Sequence, residues 1–123
     1  MTLRCLLVDD SARFLEAARA LLERGGVCVV GLATTGVEAV ALARRTAPDA
    51  ALVDLDLDGE NGFDVARRLT GTVPAVILVS THFREDLEEL IAASPARGFL
   101  HKSALSVRAI QELVDDDGSG APP

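Results

Sequence analysis

Three acidic residues follow two short apolar segments of the chain, and they are the side chains with the clearest potential for chemistry. Asp9 and Asp10 come directly after segment 3–8, and Asp54 follows segment 50–53. If both segments are strands of one parallel sheet, the carboxylates meet at the carboxyl ends of the strands, where open α/β sheets bind ligands. Like charges this close repel by about 4 kcal/mol per pair at an effective dielectric constant near 20. The cluster must therefore hold a proton, a cation or both, and a hard divalent cation suits its oxygen ligands.

Five apolar segments recur along the chain, and segments with helical spacing of apolar residues separate them. Apolar runs that are continuous, not alternating, are typical of strands covered by helices on both faces. The pattern predicts an α/β protein with five βα units. The strands are expected at residues 3–8, 27–32, 50–53, 75–79 and 98–100. The helices are expected between the N-cap Ser11 and Gly25, and at 37–45, 61–69, 84–93 and 105–114.

The spacing also predicts which side chains the helices bury. In the second helix these are Val37, Val40 and Ala41, and in the fourth they are Leu87, Leu90 and Ile91. The two cysteines, Cys5 and Cys28, lie inside apolar segments and have no paired Cys/His spacing. We therefore expect buried, reduced thiols and no zinc site or disulfide.

Composition limits the function classes. A chain of 123 residues, 49% of them hydrophobic, is expected to fold as one domain over 1–114, followed by a disordered acidic tail at 115–123. The formal net charge of −7 argues against direct nucleic-acid binding, which needs clustered Lys and Arg. No signal peptide and no segment of membrane-spanning length is recognisable, so a cytoplasmic protein without membrane contact is expected.

Two further polar residues follow predicted strands, namely Ser80 after the fourth strand and Lys102 after the fifth. Together with the acids they form a set that resembles the receiver domain of two-component response regulators over residues 3–114. The resemblance rests on Leu7-Val8-Asp9-Asp10-Ser11, Leu52-Val53-Asp54-Leu55-Asp56, Val79-Ser80-Thr81 and Gly98-Phe99-Leu100-His101-Lys102. It implies a flavodoxin-like, doubly wound parallel sheet with strand order 2-1-3-4-5.

The resemblance also implies a chemistry. Asp54 would accept a phosphoryl group from a sensor histidine kinase or a phosphotransfer protein, so the chain would be a signalling phosphoacceptor that catalyses only its own phosphorylation and dephosphorylation. Asp10, Asp54 and the backbone carbonyl of Asp56 would bind Mg²⁺ or Mn²⁺, with Asp9 helping through water. Lys102 and Ser80 would contact the phosphoryl oxygens.

Signal output is likewise implied by the resemblance. Ser80 and Phe99 would form a switch that alters the face built from helix four, strand five and helix five, where a downstream protein would bind. Asp56 and His82 occupy positions that flank the phosphoryl group in receivers, so they would tune its lifetime. The cognate kinase and the downstream partner are not readable from the sequence.

Each of these residues also has an ordinary structural interpretation. Asp9 or Asp10 alone could cap the first helix, Ser80 could cap helix four, Lys102 could be solvated, and Phe99 could be a core residue. Two positions depart from the family pattern. Asp58 and Ser103 stand where receivers often have proline, and the second change puts in question the cis peptide bond that follows the lysine in many receivers.

Three other functions compete. Asp54 and Asp56 match the Asp-x-Asp motif of haloacid-dehalogenase-like phosphatases, although the motif would lie on the third strand and leave Asp9 and Asp10 without a role. The run 54–59 also looks like an EF-hand loop, but Val65 occupies the position that needs a bidentate glutamate. The third alternative is a receiver-fold interaction module that acts without phosphorylation.

Overall fold

The computed structural model describes residues 2–115, and five parallel strands form its main sheet. In spatial order the strands are β2, β1, β3, β4 and β5. Their bounds are Arg4–Val8 for β1, Cys28–Ala33 for β2, Ala50–Asp54 for β3, Ala75–Ser80 for β4 and Gly98–His101 for β5. The predicted fold and strand order are therefore confirmed.

Five α-helices connect the strands and cover both faces of the sheet. They are α1 (Ala12–Arg24), α2 (Gly36–Thr46), α3 (Gly62–Leu69), α4 (Glu88–Ala92) and α5 (Val107–Asp115). Residues 116–123, which include most of the predicted tail, lie outside the described residues, and Asp115 is the last residue of α5. Within residues 2–115, no helix combines the length and the apolar character needed to span a bilayer.

Alternating strand residues point into two separate cores. One core packs Leu6, Val53, Leu78 and Phe99 against α2, α3 and α4. The other packs residues such as Leu7, Leu52 and Ile77 against α1 and α5. Because β1, β3 and β4 have a helix layer on both sides, nearly all of their residues are buried, as the continuous apolar runs predicted.

The edge strand β2 departs from this expectation. Its residues are mostly half-buried, and Cys28 is exposed, so the prediction that both thiols are buried is wrong for Cys28. The sequence cannot distinguish the two cysteines because both lie in apolar runs, whereas an edge strand is covered on one side only. Cys5 in β1 is fully buried as predicted, and burial raises the pKa of its thiol to about 12.

Helix α2 is rotated relative to the predicted face. It buries Gly36, Ala39 and Ala43, whereas Val37 is 74% exposed and the predicted inward residue Ala41 is also exposed. The physical reason is close packing: small residues let the helix approach the sheet, and the larger valine is turned outward.

The fourth helical segment is shorter than predicted. A 3₁₀ turn at Arg84–Asp86 precedes α4, and no side chain caps either element. Leu87 and Ile91 pack against the core, but Leu90 is 55% exposed, which contradicts its predicted inward position. Helix α5 begins two residues later than expected, because Ser106 Oγ accepts a hydrogen bond from Ala109 N–H at 3.0 Å and caps the helix there.

A short hairpin follows β3 and leads into α3. It pairs Asp56–Leu57 with Glu60–Asn61, and Gly59 in its turn has a φ of 72°. Asn61 Oδ1 accepts a hydrogen bond from Phe63 N–H at 2.8 Å and caps α3. A Cβ atom on Gly62 would overlap the backbone of Asp54, so only glycine allows α3 to begin this close to the end of β3.

Candidate functional site

Four polar side chains converge at the carboxyl ends of the strands. Asp9 follows β1, Asp54 ends β3, Ser80 ends β4, and Lys102 follows β5. Asp9, Asp54 and Ser80 are exposed by only 1%, 4% and 0%. Polar groups buried to this degree need partners that compensate for the loss of water.

Asp9 has two distinct contacts. Its Oδ1 accepts a hydrogen bond from the Ser11 N–H at 2.8 Å, just before α1 begins. Its Oδ2 is fully buried, and the only partner recorded for it in residues 2–115 is the ammonium of Lys102, with Nζ 2.8 Å away. Since Ser11 Oγ accepts from Phe14 N–H, it is Ser11 that caps α1, and Asp9 faces the pocket.

Asp54 is the most perturbed carboxyl group of the pocket. Burial and the neighbouring charge of Asp9 raise its pKa from 3.8 to about 6. The Asp56 N–H, 3.3 Å from Asp54 Oδ1, and the ammonium of Lys102, 3.6 Å from Oδ2, act in the opposite direction. Asp54 is thus a carboxylate that would gain stability from any additional positive charge.

Lys102 is a buried cation that links the two acids. Burial disfavours its charge, but Asp9 and Asp54 outweigh that effect and raise the pKa of the ammonium group above its usual value. Its Nζ also lies 4.2 Å from the centroid of the Phe14 ring, a cation–π contact that shields the ammonium from water. The sequence did not predict this role of Phe14, because the contact joins the first turn of α1 to the end of β5.

The pocket fits a hard divalent cation. One oxygen each from Asp9, Asp10 and Asp54 lie within 4.8 Å of one another, with Asp10 exposed at the mouth of the pocket. The buried Oδ2 of Asp9 has a net negative charge beside it that a single lysine does not balance. An all-oxygen donor set with exposed space at one side suits Mg²⁺, which retains several water ligands.

The other predicted site residues lie around this pocket. Ser80 Oγ accepts a hydrogen bond from the His82 N–H at 2.9 Å, so it stabilises a turn and does not cap helix four. His82 Nε2 lies 3.2 Å from Asp56 Oδ2, which brings the two predicted lifetime residues into contact at the surface. Phe99 is 7% exposed and lies in the core that also contacts Leu87 and Ile91.

The departures from the family pattern have local consequences only. The described residues contain no cis peptide bond, which agrees with a serine at position 103, and Asp58 is an exposed residue of the hairpin turn. The loop after β3 is thus closed by Gly59 and Gly62 without a proline.

Comparison with known families decides the identity of this arrangement. The family model for the response regulator receiver domain matches residues 5–115. The chain belongs to this family. It is therefore a receiver domain of two-component response regulators, and nothing in the comparisons supports the phosphatase alternative.

Individual relatives agree with the assignment. Over 80% of its length, the receiver domain is 38% identical to Protein PilH of Pseudomonas aeruginosa and covers 84% of that protein. It is 30% identical to a putative transcriptional regulator of the same organism, over 93% of this chain and 66% of the relative. The signal receiver domain of the putative response regulator NarL from Mycobacterium tuberculosis superimposes with a TM-score of 0.81, at 30% identity, over 92% of this chain and 96% of that one.

Several relatives are longer than this chain. The receiver domain spans only 26% and 22% of two protein-glutamate methylesterases and 50% of the response regulator UvrY of Escherichia coli. The similarity therefore concerns the shared receiver domain.

Proposed function

We propose that Asp54 accepts a phosphoryl group from the phosphohistidine of a sensor kinase or phosphotransfer protein, in a reaction that requires Mg²⁺ or Mn²⁺. The observation that carries this proposal is the environment of the Asp54 carboxylate, which is buried beside Asp9 and lies 3.6 Å from the ammonium of Lys102. A nucleophile, a cation site and a fixed positive charge thus share one pocket.

In the proposed transfer, a carboxylate oxygen of Asp54 attacks the phosphorus atom. An O–P bond forms while the N–P bond to the donor imidazole breaks, and the imidazole leaves with the bonding electrons. Attack by water later releases inorganic phosphate and restores Asp54. The nucleophile must be ionised, which a pKa of about 6 permits at neutral pH.

Asp10, Asp54 and the backbone carbonyl of Asp56 would hold the cation directly, with Asp9 acting through water. The bound cation would neutralise charge on the transferring oxygens, and a second carboxylate beside the nucleophile makes such neutralisation necessary. The clustered oxygens of Asp9, Asp10 and Asp54 support this set.

Two side chains would stabilise the phosphoryl group itself. Lys102 already faces Asp54, so its ammonium would pair with a phosphoryl oxygen after transfer. Ser80 would donate its hydroxyl hydrogen to another oxygen. The hydroxyl oxygen now accepts from the His82 N–H, which leaves its hydrogen available to donate.

The contact between Asp56 and His82 would set the lifetime of the phosphoryl group. Both side chains are exposed and lie where water approaches Asp54. We propose that their pairing holds the Asp56 carboxylate away from the phosphoryl anion. Phosphate release from Asp56→Ala and His82→Ala proteins, followed by intact mass, should then differ several-fold from wild type, and three equal decay rates would refute this role.

Output would run through Ser80 and Phe99 to the face formed by α4, β5 and α5, where a downstream protein binds. In the structure the Phe99 ring is already inside, so phosphorylation would increase the population of this inward position and would not create it. The packing of Phe99 in one core with Leu87 and Ile91 supports a link to α4. The net charge of −7 favours a protein partner over nucleic acid, in a cytoplasmic setting.

The function is tested by intact-mass measurement after incubation with acetyl phosphate. Wild-type protein with Mg²⁺ should gain one phosphoryl group, and Asp54→Asn protein or wild type with EDTA should gain none. Asp58→Asn is the matched control, because Asp58 is an exposed acid of the same loop. Labelling that survives EDTA or the Asp54 substitution would refute the proposal and would favour a different acceptor.

A further inference from the structure

We propose that His101 is a positioning residue that ties the loop carrying Ser80 to the turn carrying Lys102, so that both side chains reach the same phosphoryl group. The inference rests on the proposed phosphorylation of Asp54. Its basis is a set of contacts around one imidazole ring that the phosphorylation site itself does not use.

The position of His101 in the sheet makes such a tie possible. His101 is the register partner of Ser80 where β4 and β5 end side by side. Lys102 follows His101 directly, and Thr81 follows Ser80 directly. The ring therefore lies between the two backbone segments that deliver the hydroxyl and the ammonium.

Hydrogen bonds hold the ring to both segments. Its Nδ1 accepts a hydrogen bond from the Ser103 N–H at 3.1 Å and lies 2.7 Å from Ser103 Oγ. Its Nε2 lies 2.9 Å from the carbonyl oxygen of Thr81. One contact closes the turn at Lys102–Ala104 that follows β5, and the other reaches across to the loop that follows β4.

The partners determine where the ring carries its proton. A backbone N–H can only donate, so Nδ1 must be an acceptor. A carbonyl oxygen can only accept, so Nε2 must carry the hydrogen. The tie thus needs the neutral imidazole in its Nε2–H form, with each nitrogen assigned by its partner.

Phe83 adds a stacking contact from the same loop. Its ring lies 5.0 Å from the imidazole centroid, and the two planes are inclined by 22°. The Phe83 side chain is 63% exposed, so the ring contributes little to the core. We attribute its position to the stacking, which covers one face of the imidazole and joins residue 83 to β5.

Ser103 gives the departure from the family pattern a physical consequence. This residue stands where receivers often have proline, and proline has no N–H to donate. The Ser103 N–H is the donor to His101 Nδ1, and its hydroxyl lies at hydrogen-bond distance from the same atom. Serine at 103 and histidine at 101 therefore form one device.

The expected effect is on the rate of transfer and not on donor binding. Without the tie, Ser80 and Lys102 would have to be brought together during each transfer, which costs part of the benefit of prior orientation. The loss of one such hydrogen bond should lower the maximal rate of phosphorylation by about three- to ten-fold.

Three substitutions separate the two functions of the ring. The Gln side-chain amide places a donor near the Nε2 position, so His101→Gln keeps the bond to Thr81. The Asn side chain places an acceptor near the Nδ1 position, so His101→Asn keeps only the bond from Ser103, and His101→Ala keeps neither. The maximal rate of labelling by acetyl phosphate should rank wild type and Gln above Asn and Ala, with an unchanged half-saturating concentration.

Val37→Ala is the control, because Val37 is 74% exposed on α2 and lies outside the site. Equal maximal rates in all His101 variants would overturn the inference alone. So would a change only in half-saturating concentration. No labelling of wild-type protein would overturn the proposed function and this inference together.

A second measurement does not depend on phosphorylation. Imidazole ¹⁵N NMR spectra of the metal-free, unphosphorylated protein should show His101 in the Nε2–H form, and Phe83 ring protons should give cross-peaks to His101. A ring that carries its hydrogen on Nδ1, or that exchanges between both forms, would overturn the tie even if Asp54 is phosphorylated normally.

Discussion

Asp54 illustrates at the residue scale how a functional side chain lowers the stability of its own fold. Its pKa is raised from 3.8 to about 6, chiefly by burial and then by the charge of Asp9. Between these two values the folded protein binds more protons than the unfolded chain does. The free energy of unfolding therefore falls as the pH rises through this window, and the loss is complete above the folded pKa.

We predict that Asp54→Asn stabilises the metal-free protein at pH 8. At about 1.4 kcal/mol per pKa unit, removing the ionised carboxylate should raise the free energy of unfolding by up to about 3 kcal/mol. The gain should shrink as the pH falls through 6 and vanish below about 4, where Asp54 is protonated in both states. Urea unfolding in EDTA at several pH values measures this.

Asp58→Asn provides the comparison, because Asp58 is exposed and should leave the unfolding curve unchanged at every pH. A gain in Asp54→Asn that is as large at pH 4 as at pH 8 would show that the charge is not the cause. A net loss of stability at pH 8 would mean that the Lys102 contact outweighs burial.

The two neighbouring acids of the pocket differ in their engagement. Both oxygens of Asp9 already have partners, Ser11 N–H and the Lys102 ammonium, whereas Asp10 is exposed. We predict that Asp10→Ala weakens Mg²⁺ binding by at least about ten-fold and that Asp9→Ala weakens it less, because loss of a direct ligand costs more than loss of a water-bridged one. Calorimetric titration of both folded variants measures this, and equal losses would contradict the assignment.

At the scale of the elements, position in the sheet decides how a residue behaves. Cys5 and Cys28 lie in similar apolar runs, but β1 is central and β2 is an edge strand. The buried thiol of Cys5 has a pKa of about 12, so it supplies almost no thiolate at neutral pH.

We therefore predict that one thiol of the native protein reacts with iodoacetamide at pH 8 and that this thiol is Cys28. Peptide mapping by mass spectrometry identifies the labelled residue, and the denatured chain should take up two labels. Cys28→Ser protein should remain unlabelled while folded. Modification of Cys5 at a similar rate would show that β1 opens readily to solvent.

At the scale of the whole molecule, the phosphorylation site and the proposed output face share one core. Phe99 in β5 packs with residues of α4, and the Ser80 loop is joined to β5 through His101. A change at Asp54 can therefore reach α4 through contacts that are already in place.

We predict that phosphorylation of Asp54 shifts the backbone NMR resonances of residues 85–91 and of Phe99, in addition to those of the pocket. Acetyl phosphate with Mg²⁺ supplies the modified state, and Asp54→Asn protein treated identically is the reference. Ser80→Ala should retain the pocket shifts and lose those in α4. Shifts confined to the pocket in wild-type protein would exclude this route of output.

The sequence by itself determined the class of fold and the principal site, because both are written in local patterns. Continuous apolar runs ending in Asp9, Asp54 and Ser80 specify buried parallel strands, and the ends of such strands must meet at one edge of the sheet. The caps Ser11 and Asn61 mark their helices for the same local reason.

Tertiary structure alone decided which of two equivalent patterns is buried. Cys28 and Val37 are exposed because of the edge position of β2 and the close approach of α2 through small residues, neither of which has a local signal. The contacts of Phe14 with Lys102 and of His101 with Thr81 join residues that are far apart in the chain. They depend on the relative placement of strands and helices, which is fixed by the packing of the whole core.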